Sequence, residues 1–299
     1  MKSLKPKLIV VCGTTASGKT QLASEICRTL NGEMVNADSR QVYRGMDIGT
    51  NKEIPEDIPL HLVDIANPDE RYTLFQFKSD AAQVISEIVA RGKVPVLVGG
   101  TGLWIDGLIY NYQLPKKTEE IYYEIPETED EQVQLLLKVD PDSQFQVDLK
   151  NPRRVLRALK VYFETGVPFT KQPKLGESQY DVLKLAPQAD MAVIERKIVD
   201  RTNQMVDSGL VKEVANLVSQ YGWEHEAMTS IGYREFREVI GDLWHNPAPE
   251  EIKEIKQKIT LHTRQYAKRQ LTWFKRDPSI YWVQSPEQGI KRASDFVKL

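Results

Sequence analysis

A chain of 299 residues, 41% hydrophobic and 27% charged, can bury a sizeable core, and its composition excludes disorder, collagen and a coiled coil. No apolar run approaches the roughly 20 residues that cross a bilayer, and residues 1–7 lack the apolar segment of an export signal, so a cytoplasmic protein without a membrane contact is expected. Two cysteines, Cys12 and Cys27, cannot build a disulfide framework or a four-cysteine zinc site, and a net charge of −2 does not announce a nucleic-acid binder.

The first hundred residues alternate between two periods. A buried strand is expected over 7–12, then a glycine-rich turn and a helix through about residue 30. A second strand follows over 33–37 and a third over 60–65. Ala82, Ile85 and Val89, flanked by Ala81, Val84 and Ile88, predict a helix over 79–91 that Gly92 closes. A further strand over 95–98 ends in Gly99-Gly100-Thr101-Gly102. Strand, turn and helix repeated in this way predict an α/β fold, a parallel sheet with helices on both faces.

After residue 112 the pattern changes. Residues 113–131 are acidic, contain Pro115 and Pro126, and show little periodicity, so 113–150 reads as a small insertion between core segments 1–112 and 151–299. A helix is expected over 152–165 and a loop over 168–178. The stretch 194–274 reads as mainly helical, interrupted near 222–231 and 241–249.

Charge is strongly segregated along this plan. Residues 150–162 carry Lys150, Arg153, Arg154, Arg157 and Lys160 with no acid, and 260–276 carry Arg264, Lys268, Arg269, Lys275 and Arg276 with no acid. These ten positive charges leave the rest of the chain at −12, and seven acids between 119 and 131 supply much of that. Two basic segments in an acidic protein are the footprint of a polyanion partner; the plainer reading is two solvated helix faces.

The segment Gly13-Thr14-Thr15-Ala16-Ser17-Gly18-Lys19-Thr20 matches G-x-x-x-x-G-K-[ST] in full, between a strand and a helix. Such a loop turns backbone N–H groups and a helix N-terminus on one point and makes a nest for a diphosphate or triphosphate. Lys19 adds a charge, and the Thr20 hydroxyl suits Mg²⁺. Asp38, in Asn36-Ala37-Asp38-Ser39-Arg40-Gln41, falls just beyond the second strand, at the edge where parallel sheets hold ligands. A carboxylate there can hold magnesium, cap a following helix or take a proton from a substrate.

The segments GTTASGKT, NADSRQVYRGMDIGTNK, HLVDI, PVLVGGTGLW, RRVLRALKVYFETG, SIGYREF and TRQYAKRQLTWFKR occur in this order. Together they resemble the tRNA dimethylallyltransferases of bacterial type, over about residues 8–283. The resemblance implies a P-loop NTPase-like core whose loop holds the diphosphate of dimethylallyl diphosphate rather than ATP. It implies transfer of the dimethylallyl group to N6 of the adenosine 3′ of the anticodon, at position 37, with Mg²⁺ as cofactor. By the same resemblance Asp38 would take the amine proton, Arg201 would contact the diphosphate, and Thr101 would sit where prenyl chain and base meet. Asp38, Ser39, Arg40, Gln41, Thr101, Ser230 and Arg234 would lie near RNA, with Gln41 reading a neighbouring base. Arg153, Arg154, Arg157, Arg264, Lys268, Arg269 and Lys275 would hold the anticodon stem-loop of the tRNA. The chain is expected to act as a monomer. Three other readings use the same loop: prenylation of free AMP or ADP, a small-molecule kinase, and a tRNA-binding protein without catalysis. The family's insertion after GGTG is shortened and acidic here, which bears on recognition of the stem and leaves Asp38, Lys19 and Thr20 untouched.

Overall fold

The computed structural model describes residues 5–112, 125–172, 176–188 and 190–298. In chain order the elements are β1 (Lys7–Cys12), α1 (Lys19–Leu30), β2 (Gly32–Asn36), β3 (Leu60–His61), α2 (Leu74–Ala90), β4 (Val94–Gly99), α3 (Gly102–Ile109), α4 (Glu129–Val139), α5 (Ser143–Gln146), α6 (Pro152–Thr165), β5 (Asp181–Pro187), α7 (Met191–Asp207), α8 (Leu210–Tyr221), α9 (Arg234–Ile240), α10 (Pro249–Phe274), β6 (Ile280–Val283) and α11 (Pro286–Lys298). The chain divides into two compact units, one of residues 1–109 and 178–299, the other Tyr110–Glu177.

The larger unit is built on a six-stranded sheet, order β3-β2-β4-β1-β5-β6, with every pair parallel. Parallel strands need covering on both faces, so β1 and β4 are apolar nearly throughout: Leu8 to Val11 are fully buried, as are Val96 and Leu97. Pairing of Cys12 with Gly99, and of Asn36 with Val98, brings the ends of β1, β4 and β2 to one edge. The loops that follow these three strands therefore meet there, where open α/β sheets bind ligands.

Several elements differ from the sequence expectation, each for a local reason. Helix α2 starts at Leu74 rather than near 79, because Thr73 and Gln76 form a capping box ahead of the apolar stripe. The third strand stops at His61, where Leu62 turns left-handed at φ 61°. Strand β5 escapes sequence reading because Lys184 interrupts it; the side chain is only 4% exposed and its ammonium pairs with Asp277 at 2.6 Å. Strand β6 and helix α11, which packs on α1, also lie outside the sequence expectation.

The smaller unit needs a correction of its boundaries. The insertion expected over 113–150 is narrower than the compact unit, which runs on to Glu177. The reason is α6, whose Val155, Ala158 and Leu159 form one core with Leu136 and Val147. Residues 113–124 lie outside the described residues. From Glu129 the acidic stretch is helix, with Thr128 accepting a hydrogen bond from the Glu131 amide and three acids in the first turn, where the helix dipole favours them.

Candidate active site

The loop after β1 takes the shape its glycines allow. Gly18 is left-handed at φ 89° and caps α1 with no side chain, so the first N–H groups of that helix are left for a ligand. Ala16 is also left-handed, at φ 61°, the one non-glycine of this loop with positive φ. Gly13 leads out of the sheet, and Ser17 Oγ donates to the Thr14 carbonyl at 2.9 Å, closing the loop. Lys19 Nζ turns back toward the Thr14 carbonyl at 3.4 Å. Burial pushes the Lys19 ammonium below its ordinary range; nearby Asp38 opposes that shift and Arg201 adds to it.

Two cavities open over this loop and share a wall of Thr15, Lys19, Asp38, Thr50, Asn51 and Arg201. The smaller, about 230 Å³, is polar and includes Thr20, Asn36, Glu53 and Lys197. The larger, about 370 Å³, runs past Thr101 to Ile198, Met205, Ile259 and Tyr266, with Ser230 and Arg234 at its far side. Polar groups thus surround the loop, and an apolar wall stands beside them.

Asp38 lies two residues beyond β2. Its Oδ1 accepts from the Arg40 amide at 2.9 Å, and its own amide donates to Asn36 Oδ1 at 3.1 Å. No helix follows, so the carboxylate closes a turn and does not cap a helix. Thr101 Oγ1 accepts from the Ser39 amide at 3.1 Å, tying the GGTG loop to this turn. Arg201, on α7, donates from Nη1 to Thr15 Oγ1 at 3.1 Å, and burial lowers its guanidinium. Loop 13–20, Asp38, Thr101 and Arg201 therefore converge.

The flanking residues divide. Gln41 lines the smaller cavity, and its amide donates to the Thr50 and Asn51 carbonyls at 3.2 Å, holding the GMDIGT loop. Arg40 donates to the Glu226 carbonyl at 3.3 Å. Helix α10 presents two opposite faces. Tyr266 and Gln270 line the larger cavity, whereas Arg264 and Lys268, offset by two positions or about 200°, approach Glu195 of α7 at 3.4 and 3.9 Å. That basic stripe does not converge on the cavity. Arg269 instead lies over the Tyr266 ring at 5.9 Å, and Lys275 is exposed just past the helix. Arg153, Arg154 and Arg157 are exposed on α6, in the other unit.

Sequence reasoning missed four groups here: Gln270, Glu53 and Lys197 in the cavities, and Glu213 on α8, which accepts from the amides of Asp47, Ile48 and Gly49. Helical spacing could have found Gln270, since Ile259, Thr263, Tyr266 and Gln270 fall on one stripe. For Mg²⁺, the Thr20 hydroxyl and the nearby Asp38 and Glu53 carboxylates are oxygen donors of the kind a hard cation takes. No helix among the described residues is long and apolar enough to cross a membrane.

A protein-family model described as IPP transferase matches residues 41–277. A tRNA dimethylallyltransferase of Staphylococcus aureus is 37% identical over 314 aligned residues, covering 99% of this chain and 98% of its own. The solved tRNA delta(2)-isopentenylpyrophosphate transferase of Staphylococcus epidermidis is similar at a TM-score of 0.69 and 33% identity, over 98% of this chain and 99% of that one. A eukaryotic dimethylallyltransferase, solved acting on tRNA, is similar at a TM-score of 0.85 and 26% identity, over 98% of this chain and 80% of its own. With a family model spanning most of its length and a relative aligned nearly end to end, the chain belongs to the IPP transferase family, that of the tRNA dimethylallyltransferases.

Proposed function

We propose that this chain transfers the dimethylallyl group of dimethylallyl diphosphate to N6 of the adenosine at position 37 of tRNA, next to the anticodon. The observation that carries the reading is the shared wall of the two cavities, where Asp38 stands with Lys19 and Arg201. The amine lone pair forms the new N–C bond at the primary allylic carbon while the C–O bond to diphosphate breaks. Asp38 takes the amine proton as the general base. The leaving group keeps the bonding electrons, and Lys19, Arg201 and the open N–H groups at the start of α1 stabilise its charge. The Thr20 hydroxyl, together with oxygens of the diphosphate, would hold Mg²⁺, which when bound neutralises part of that charge. The apolar wall of Ile198, Met205 and Ile259 suits the prenyl chain.

An adenosine inside an anticodon loop must leave its stack to reach Asp38, so RNA has to be gripped on both sides of the target base. Arg153, Arg154 and Arg157 supply phosphate contacts from α6; Ser39, Arg40, Gln41, Ser230 and Arg234 lie near the flipped base. Arg264, Lys268, Arg269 and Lys275 supply further positive charge along α10 and just past its end.

The test is to offer the purified protein labelled dimethylallyl diphosphate with Mg²⁺, and bulk tRNA and AMP in parallel. Label in tRNA is the expected result. Label in AMP alone moves the acceptor to a free nucleotide, and transfer to neither, with tRNA still bound, leaves a binding protein.

A further inference from the structure

Gln270 is the group through which α10 reaches both loops of the cavity. It is 5% exposed and carries no charge, in a helix segment otherwise marked by basic and aromatic residues. Its Oε1 accepts from the Thr15 amide at 2.8 Å, and its Nε2 donates to the Gly100 carbonyl at 2.9 Å. One planar amide therefore staples the loop after β1 to the loop after β4. Gly100 leaves the room for it: a Cβ there would stand 2.2 Å from Gln270 Nε2.

Each arm of the staple continues to a group of the reaction. On one side, Thr15 is pinned through its amide and in turn accepts Arg201 through its hydroxyl at 3.1 Å. On the other, Gly100 precedes Thr101, whose hydroxyl accepts from the Ser39 amide next to Asp38. Tyr266, one turn earlier on α10, is within hydrogen-bond reach of both Thr101 and Gln270, and burial raises its phenol.

From this geometry we infer that Gln270 is a positioning residue: its side-chain amide sets the separation between the leaving-group side of the cavity, Thr15 and Arg201, and the acceptor side, Thr101, Ser39 and Asp38. The inference rests on the proposed transfer reaction. Gln270 does not touch the reacting atoms; it acts through the two loops. The two hydrogen bonds that join the loops are made to backbone groups, so aspartate or asparagine, one methylene shorter, cannot span them. Displacing either loop by about 1 Å is enough to cost on the order of 10²-fold in rate.

The experiment compares Q270A, G100A and the double variant with the parent, reading four quantities on each. These are the melting temperature, the affinity for inorganic diphosphate with Mg²⁺, the affinity for tRNA, and the single-turnover rate at saturating tRNA. For Q270A the expectation is a rate lower by about 10²-fold, diphosphate affinity weaker by about tenfold, and tRNA affinity within about twofold of the parent. G100A drives the amide out of its place and should lose a similar factor in rate. The double variant should be no slower than the slower single one, because both changes break the same staple. Parent-like transfer in Q270A, a loss that vanishes when rates are scaled to the folded fraction, or factors that multiply in the double variant would each overturn the inference. Diphosphate binding and melting are read without any transfer. A parent that prenylates no RNA would therefore sink the functional reading, while the diphosphate comparison would still judge the staple.

Discussion

Asp38 uses its two oxygens differently. Oδ1 holds the turn by accepting from the Arg40 amide, and among the described residues the other oxygen accepts no hydrogen bond. Asp38→Asn therefore separates the two roles, since an asparagine oxygen can keep the turn while the proton acceptor is lost. The expected result is a single-turnover rate lower by about 10²–10⁴-fold, with melting temperature and tRNA affinity close to the parent. An unchanged rate would remove Asp38 from the chemistry. The position of Asp38 at the sheet edge was legible, because a strand followed by a polar turn in an α/β pattern defines that edge. Arg201 was not legible from its surroundings in the chain: on α7 it stands among Arg196, Lys197 and Asp200, and only the packing of α7 over the loop distinguishes it. Gln270 was hidden for a related reason, since charge drew attention to Arg264 and Lys268 on the opposite face.

At the scale of elements, two carboxylates tie the fold together, Glu213 at a loop that lines the larger cavity and Glu33 at the opposite end of the sheet. Glu213 of α8 accepts from the amides of Asp47, Ile48 and Gly49 and from the Tyr233 hydroxyl at 2.7 Å. Gly49 is required there because a Cβ would fall 2.5 Å from the Tyr233 ring. This explains why GMDIGT and SIGYREF occur together: one loop is wrapped on the tyrosine of the other. Glu213→Ala strips one acceptor from four donors, and should lower unfolding free energy by about 2–4 kcal/mol in a denaturant titration, with Glu213→Gln losing less. The second carboxylate, Glu33 on β2, is 4% exposed and meets His61 and Arg91 at 2.7 Å and Lys93 at 2.9 Å, joining β2 to β3 and to the start of β4. Burial pushes its carboxyl up, but hydrogen bonds from Lys93, Arg91 and His61 outweigh that and hold it at about 2. A carboxyl lowered on folding stabilises the protein above its unfolded value near 4.5, and that contribution is lost as pH falls from there through about 2. The full difference is of order 3 kcal/mol. Glu33→Gln should be less stable than the parent at pH 6, and the gap should shrink steadily toward pH 3; a gap independent of pH would mean that the carboxylate charge contributes nothing. The strand ends and the capping box at Thr73 show what sequence periodicity leaves out. Apolar spacing locates the middle of an element, while caps, left-handed residues such as Leu62 and buried ion pairs such as Lys184 with Asp277 decide its limits.

Across the whole molecule, a charge of −2 conceals two basic segments that fold into separate units. The change of pattern after residue 112 falls close to Tyr110, where the smaller compact unit starts, whereas the far end of that unit left no such mark, because α6 carries a basic surface and an apolar face and only the latter shows where it packs. On α6, Arg153 and Arg157 are one turn apart and exposed, and neither forms an ion pair within 4 Å among the described residues; Arg154 approaches Asp148 at 3.9 Å. Two free guanidiniums at helical spacing, remote in sequence from the cavity, can bind RNA phosphates without altering the chemistry. If each neutralises one phosphate, replacing both with alanine should reduce the slope of log affinity for tRNA against log salt by about 1.4–1.8. Affinity for dimethylallyl diphosphate should not change. Arg264 and Lys268 provide the contrast, since both already approach Glu195; the same double replacement there should change the slope by less than the α6 pair. A salt titration of tRNA binding on the two double variants decides between the faces. Equal slopes in the α6 variant and the parent would return Arg153 and Arg157 to a solvated surface, and a larger effect from Arg264 and Lys268 would move the RNA track onto the outer face of α10.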